Sequence, residues 1–351
     1  MKTPDPAWIP ARTDKLLLDV ATGSTSQPAE TFRQWRQTTD WENAPGRIYC
    51  LLPSVYLALR DQERSGSDLN RLAGAARQVS LFNQINLGAM LPMLKQIADQ
   101  NIRFWLSYEY LLTFMSEDAA DTRPLQQMEI GVLDNDHRDM ISVLDRCGWH
   151  TVGSPAAAKL TGESLWRHPQ VPSVLQLFSR HNAAYYRSDL GRTWAELDGR
   201  SPASIISEAS FQQQTLAALC LQGTMGRTEP YLNWIMDIHR LLNCSSQPSD
   251  WLAAAKYLVE WGVPWHGWQA FTYLRSTGRV DIDDTALRLL QDASVSRTEK
   301  VMYHHGMHKG LWSRMIYHIK LSSYMAKRSG QQRCRYILAR IAGRWGGLLN
   351  L

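Results

Sequence analysis

Ile102-Arg-Phe-Trp-Leu106, Arg123-Pro-Leu-Gln-Gln-Met-Glu-Ile-Gly-Val132, and the run from Asp134 to Gly148-Trp149 form the stretch whose reading decides the fold. The first piece is short and apolar, which suits a buried strand. In the second, the Arg-Pro pair marks a turn, because proline holds the chain out of helical geometry, and the residues after it enter another strand. Asp134 to Cys147 mixes apolar and charged residues at helical spacing and predicts an amphipathic helix. Strand, short helix, strand and helix follow one another in less than fifty residues.

Working outward, residues 67–100 place Leu69, Leu72, Ala76, Val79, Phe82, Ile85, Met90, Met93, Leu94 and Ile97 mostly three or four apart, which predicts one long helix with Pro92 inside it. Further upstream are an amphipathic segment from Ala29 to Trp41 and an apolar one from Arg47 to Arg60, divided by Asn43-Ala-Pro-Gly46. After Trp149 the pieces shorten, broken by Gly153, Pro155, Pro169 and Pro172, and Trp194-Ala-Glu-Leu197 reads as a last strand or a turn. From Ser204 onward the pattern is helical, with segments near 206–224, 230–243, 250–261, 265–276 and 284–292 and three more beyond them. The expected class is α+β: a helical N-terminal extension over 1–65, a small mixed sheet with its helices over 66–200, and a helical C-terminal domain with a basic tail over 201–351.

The order of these pieces resembles the bacterial nucleotidyltransferase-family proteins, a branch of the polymerase-β-like superfamily. That family reads apolar strand, Leu-Lys-Gly, short helix, Arg-Pro-Met-x-Asp-x-Asp-Leu-Leu-Val, then a helix ending in Gly-Tyr or Gly-Trp. Here Leu106-Ser107-Tyr108 stands where Leu-Lys-Gly is expected, Arg123-Pro124-Leu125 matches the turn, and Gly148-Trp149 closes the unit. The two aspartates fall on Gln127 and Glu129. A third family carboxylate, from a strand of the form Asp-Leu-His, aligns with Gln176-Leu177-Phe178. Tyr231-Leu-Asn-Trp-Ile-Met-Asp-Ile-His-Arg-Leu-Leu242, followed by Asp250-Trp251 and a helix ending at Gly262, is similar to the family's helical region, in which Trp234 and Asp237 occupy its Trp-x-x-Asp. One turn apart on a helix, they can face the same neighbour, and burial of the ring and hydrogen bonding of the carboxylate are the expected roles.

The resemblance implies a site at Gln127, Glu129 and Gln176 for a catalytic Mg²⁺, with Ser107, Tyr108 and Arg123 at the positions that bind a nucleoside triphosphate. Nucleotidyl transfer needs carboxylates converging on that ion. Residues two apart on a strand share a face, so Gln127 and Glu129 keep the spacing of a metal-binding pair. They do not keep its charge, since an amide oxygen is a neutral and weaker ligand for a hard cation. Glu129 is left as the one anionic metal ligand of the three. Ser107 and Tyr108 likewise supply neither the bare backbone of a glycine nor the charge of a lysine. The expectation is therefore a non-catalytic binding or accessory module for a protein or peptide partner. The alternative is a divergent active transferase for a small molecule, sugar phosphate or protein, using Mg²⁺ and a nucleoside triphosphate, with Glu109 or Asp134 assisting Glu129.

Net charge is +5, but all of the excess lies after Glu299, where ten Lys or Arg residues meet no acid; residues 1–299 hold 28 basic against 33 acidic groups, a balance of −5. Within the tail, Arg333 to Leu351 alternates arginines with Ile337, Ile341 and Trp345, so residues 331–351 are a candidate for docking on an anionic membrane surface or an acidic partner. No sequence-specific nucleic-acid module is recognisable. His304 and His308 are spaced to share a helix face, yet two imidazoles make an incomplete metal site. Five cysteines are scattered and never form Cys-x-x-Cys, fitting reduced thiols, and no run reaches the roughly 18–20 apolar residues of a membrane span. With no apolar leader in Met-Lys-Thr-Pro-Asp-Pro-Ala-Trp, a cytoplasmic protein, peripheral to the membrane at most, is expected.

Overall fold

Amphipathic helices cannot bury an apolar stripe alone and need a partner layer; here the N-terminal helices pack on one another, and the C-terminal helices do the same. The computed structural model describes residues 9–41, 46–62, 66–114, 121–125, 127–153, 163–179, 194–196, 208–224, 232–244, 250–295 and 299. Expectations that fall on the tail 331–351, on His304 and His308, and on the side chains of Tyr108, Glu109, Gln127 and Asp134 lie outside what is described.

Three helices open the described chain: α1 (Arg12–Ala21), α2 (Pro28–Thr38) and α3 (Leu52–Arg60). Helices α2 and α3 each carry proline in their first two positions, where the missing N–H forfeits no intrahelical bond. Helix α3 starts five residues later than the apolar segment from Arg47 suggested, because Gly46–Ile48 forms a 3-10 turn. Helix α1 was outside the expected segments. It buries Asp14, Leu17, Leu18 and Val20, and the Asp14 carboxylate takes the Arg47 Nε at 2.9 Å, which fastens that turn to α1. Phe32, Trp35 and Trp41 stack and meet edge-on with centroids 5.6–6.2 Å apart.

Helix α4 (Ser67–Asp99) runs 33 residues, continuing through Pro92. Its buried stripe is Leu72, Asn83, Asn86, Met90, Met93 and Ile97, so two amides sit among the apolar positions. After it come β1 (Phe104–Ser107), the short helix α5 (Tyr108–Leu111), β2 (Gln127–Val132), α6 (His137–Arg146), β3 (His150–Val152), β4 (Glu163–Arg167), β5 (Val174–Ser179) and β6 (Trp194–Glu196). The strands form one sheet in the order β3-β4-β5-β2-β1-β6. Only β2 and β5 run parallel, and the other neighbours are antiparallel. One side of the sheet is apolar and sealed: Leu106, Met128, Ile130, Val132, Trp166, Leu175 and Leu177 are at most 1 % exposed. Its opposite side carries the polar residues discussed below.

The C-terminal region holds five described helices: α7 (Ala209–Thr224), α8 (Asn233–Cys244), α9 (Trp251–Glu260), α10 (Pro264–Ser276) and α11 (Asp284–Asp292). Thr215 to Leu221 of α7 is buried on every side, as befits a helix surrounded by α8, α9 and α10. The Trp234 ring of α8 lies flat against Gly223 of α7, where an added Cβ would stand 2.3 Å from the ring. Asp250 and Asp283 cap α9 and α11 by accepting backbone N–H groups at 2.8 Å. The chain is thus α+β, with N-terminal helices, a mixed sheet and a C-terminal helical region.

Candidate functional site

Strand register decides which side chains meet. Glu129 of β2 is the direct partner of Gln176 on β5, and Gln176 is in turn the partner of Leu165 on β4. Leu106 pairs with Ile130, so the same register carried one step further sets Ser107 of β1 beside Glu129. Ser107, Glu129, Gln176 and Leu165 form one row over four neighbouring strands spaced about 4.8 Å apart. Gln127 stands two positions upstream of Glu129, paired with Val174. The structure therefore sets Glu129 and Gln176 side by side.

The environment of this row is uneven. Glu129 and Ser107 are 5 % and 1 % exposed, and the Ser107 hydroxyl has no hydrogen-bond partner among the described residues. Gln176 is half-buried, whereas Leu165 and its β3 partner Val152 are 42 % and 41 % exposed. The row begins enclosed and polar and ends open and apolar. Tyr108 begins α5 directly after Ser107.

Arg123 meets a buried carboxylate. Its guanidinium gives Nε and Nη2 to the two oxygens of Asp237 on α8, at 2.9 and 3.0 Å, with both side chains buried. Arg240, one turn on, gives Nη1 to the same carboxylate at 3.1 Å and Nη2 to Ser54 of α3 and Thr122 at 3.1 and 3.2 Å. Cys50 borders this cluster, and burial, with the Asp237 carboxylate adding to it, pushes its thiol up to about 12. The turn itself is held from the other side: Asn83 donates to the Arg123 carbonyl at 2.7 Å and accepts from the Leu125 N–H at 3.0 Å. Asn86 donates to the Leu125 carbonyl and to the Ser173 hydroxyl at 3.1 and 2.8 Å, and Ser173 donates to the Leu125 carbonyl at 2.6 Å. Three regions of the chain converge on the residues that lead into β2. Trp234 and Asp237 do take the structural roles expected of them.

Asn83, Asn86, Ser173 and Arg240 were not singled out from the sequence. A signal existed for the asparagines, which occupy the same helical stripe as Met90, Met93 and Ile97, where an amide must find a partner. Ser173 carried none, because its partners are remote in sequence; Arg240 lies one turn after Asp237, a spacing that signals that contact but not those to Ser54 and Thr122.

The donor set decides what the row can hold. One carboxylate and one carboxamide, Glu129 and Gln176, do not match the two or three carboxylates that a magnesium ion bridging phosphates requires. Among the described residues no group of three or more His, Cys, Asp or Glu side chains could hold a metal ion. Nor does any described helix have the length and apolarity to cross a membrane. No family model matches the chain, and no curated protein and no solved structure matches it.

Proposed function

We propose that this chain is a nucleotidyltransferase-type scaffold, of the polymerase-β-like kind, that acts as a binding or accessory module for a protein or peptide partner and not as a transferase. One observation carries the reading: Glu129 and Gln176 stand in register on parallel strands, at the spacing of a metal site, with a single anionic group between them. The antiparallel β1–β2 pair and the parallel β2–β5 pair support the fold part of the proposal. The engagement of Arg123 by Asp237 supports the functional part, since a guanidinium that already holds a buried carboxylate is not offered to phosphate.

The test is calorimetry of the full chain with ATP, CTP, GTP and UTP, with and without Mg²⁺ or Mn²⁺, together with a pyrophosphate-release assay. The proposal expects no metal-dependent binding and no release. Metal-dependent nucleotide binding with pyrophosphate release that disappears in Glu129→Gln would establish the divergent transferase in its place.

A further inference from the structure

Helix α4 buries one stripe and leaves another open along its length. Leu72, Met90, Met93 and Ile97 are buried, and α3 and α6 pack on this helix. On the other side, from Arg71 to Asp99, exposed or half-exposed positions recur in alternating steps of three and four residues, with Leu81, Ile85, Gly88 and Pro92 at the middle. That spacing is the seam by which one helix meets another. Leu81, Phe82 and Leu91 are 54 %, 41 % and 53 % exposed, so three of the six large apolar residues exposed among the described ones gather on this single helix.

Two features select the occupant of this face. The ends of the seam carry opposite charges, Arg71 at one and Asp99 at the other, about 42 Å apart at ~1.5 Å per residue. A parallel copy of the helix would set Arg71 on Arg71, Lys95 on Lys95 and Asp99 on Asp99, three like-charge contacts. An antiparallel copy, related by a twofold axis at Ile85, sets Arg71 opposite Asp99 at both ends and leaves Lys95 opposite Ala75. Side-chain size agrees with that register. Phe82 falls opposite Gly88 and Leu81 opposite Ala89, large against small, and a Cβ built on Gly88 meets nothing within 4 Å in its own chain.

We infer that this face of α4 pairs antiparallel with the same face of a second copy of the chain, on a twofold axis at Ile85. A strip ~42 Å long and ~10–12 Å wide covers ~450 Å² on each copy, or ~900 Å² in all. That total lies below the ~1,200–2,000 Å² of stable interfaces, so the dimer is weak and reversible and forms at micromolar concentrations. The pairing holds whether or not the strand row at Glu129 takes a metal.

Sedimentation equilibrium of the full chain from about 1 to 200 µM reads the association. The expected result is a reversible monomer–dimer equilibrium, weakened about tenfold or more in Leu81→Glu. The thermal melt of that variant should stay unchanged, because the side chain it replaces is already 54 % exposed. Cross-linking tests the geometry. Ile85→Cys lies on the axis and should form a disulfide with its own copy on oxidation with diamide, above the background of the native cysteines. Lys95→Cys, which the pairing holds about 30 Å from its copy, should not. A chain that stays monomeric through this range leaves the face to a different protein and overturns the inference. So does a dimer unaffected by a folded Leu81→Glu, or cross-linking at Lys95→Cys equal to that at Ile85→Cys.

Discussion

Replacing Asp237 by asparagine removes the one negative charge that the described residues place in a buried cluster with two guanidinium groups. In the native chain its oxygens accept from Arg123 at 2.9 and 3.0 Å and from Arg240 at 3.1 Å, with the Asp237 side chain 1 % and the Arg123 side chain 3 % exposed. Breaking a buried pair from one side strands the other charge and costs about 3–5 kcal/mol. Set against a typical total of about 5–15 kcal/mol, that is a large share of the stability. Arg240→Ala should cost less, about 1–2 kcal/mol, because Arg123 still satisfies the carboxylate and the Arg240 side chain is 14 % exposed. Arg123→Met combined with Asp237→Leu should cost less than Asp237→Asn alone, since it removes both members of the bidentate pair and fills their space with apolar atoms. The assay is urea unfolding followed by circular dichroism, with stability taken from the midpoint and slope. If Asp237→Asn unfolds within about 1 kcal/mol of wild type, or if the double variant shows the full sum of its two single effects, this cluster does not clamp the sheet to the helices.

Two further predictions probe the helical regions. Gly223→Ala should destabilise by about 1–3 kcal/mol or more, because the new methyl would overlap the Trp234 ring, whereas Gly88→Ala, into open space on α4, should stabilise by about 0.5–1 kcal/mol; thermal melts of both variants check the contrast. Stability should also fall with acid in a way traceable to His266. Burial lowers this imidazole to about 4 from an ordinary 6.5, outweighing the opposing effect of its bond to the Thr224 backbone. Below pH 6.5 the unfolded chain takes up a proton that the folded chain refuses, so the contribution is complete above 6.5 and is lost progressively down to about 4. The full swing is roughly 3 kcal/mol, and His266→Gln should flatten that part of a pH series of unfolding midpoints.

Much of the architecture was legible because periodicity and punctuation agree with it. The long helix over 67–100, the two strands flanking the Arg-Pro turn, and the helices of the C-terminal region appear within a few residues of their expected bounds. Helix α1 escaped notice because Leu16, Leu17 and Leu18 are consecutive, which hides the spacing of the buried pair Leu17 and Leu18 from Asp14. Strands β3 and β4 were ambiguous for a different reason: His150, Thr151 and Val152 are all exposed, so no hydrophobic alternation marks that edge of the sheet.

At the candidate site, Leu177 alone matched the Asp-Leu-His pattern that singled out Gln176, and the parallel register sets that residue beside Glu129. The engagement of Arg123 could not be read in advance. Its partner lies 114 residues away, and only packing of α8 on the turn brings them together. Local sequence carries spacing and charge. It does not carry which remote carboxylate a buried guanidinium will meet.

The proposed binding role requires that this strand row lack the negative charge to fix a divalent cation. Electron paramagnetic resonance of Mn²⁺ titrated into the full chain measures this directly, with the triple variant Gln127→Asp, Glu129→Asp, Gln176→Asp as the comparison. Free Mn²⁺ signal should persist undiminished with the wild-type chain and fall on addition of the triple variant. Stoichiometric quenching by the wild-type chain, abolished in Glu129→Gln, would contradict it.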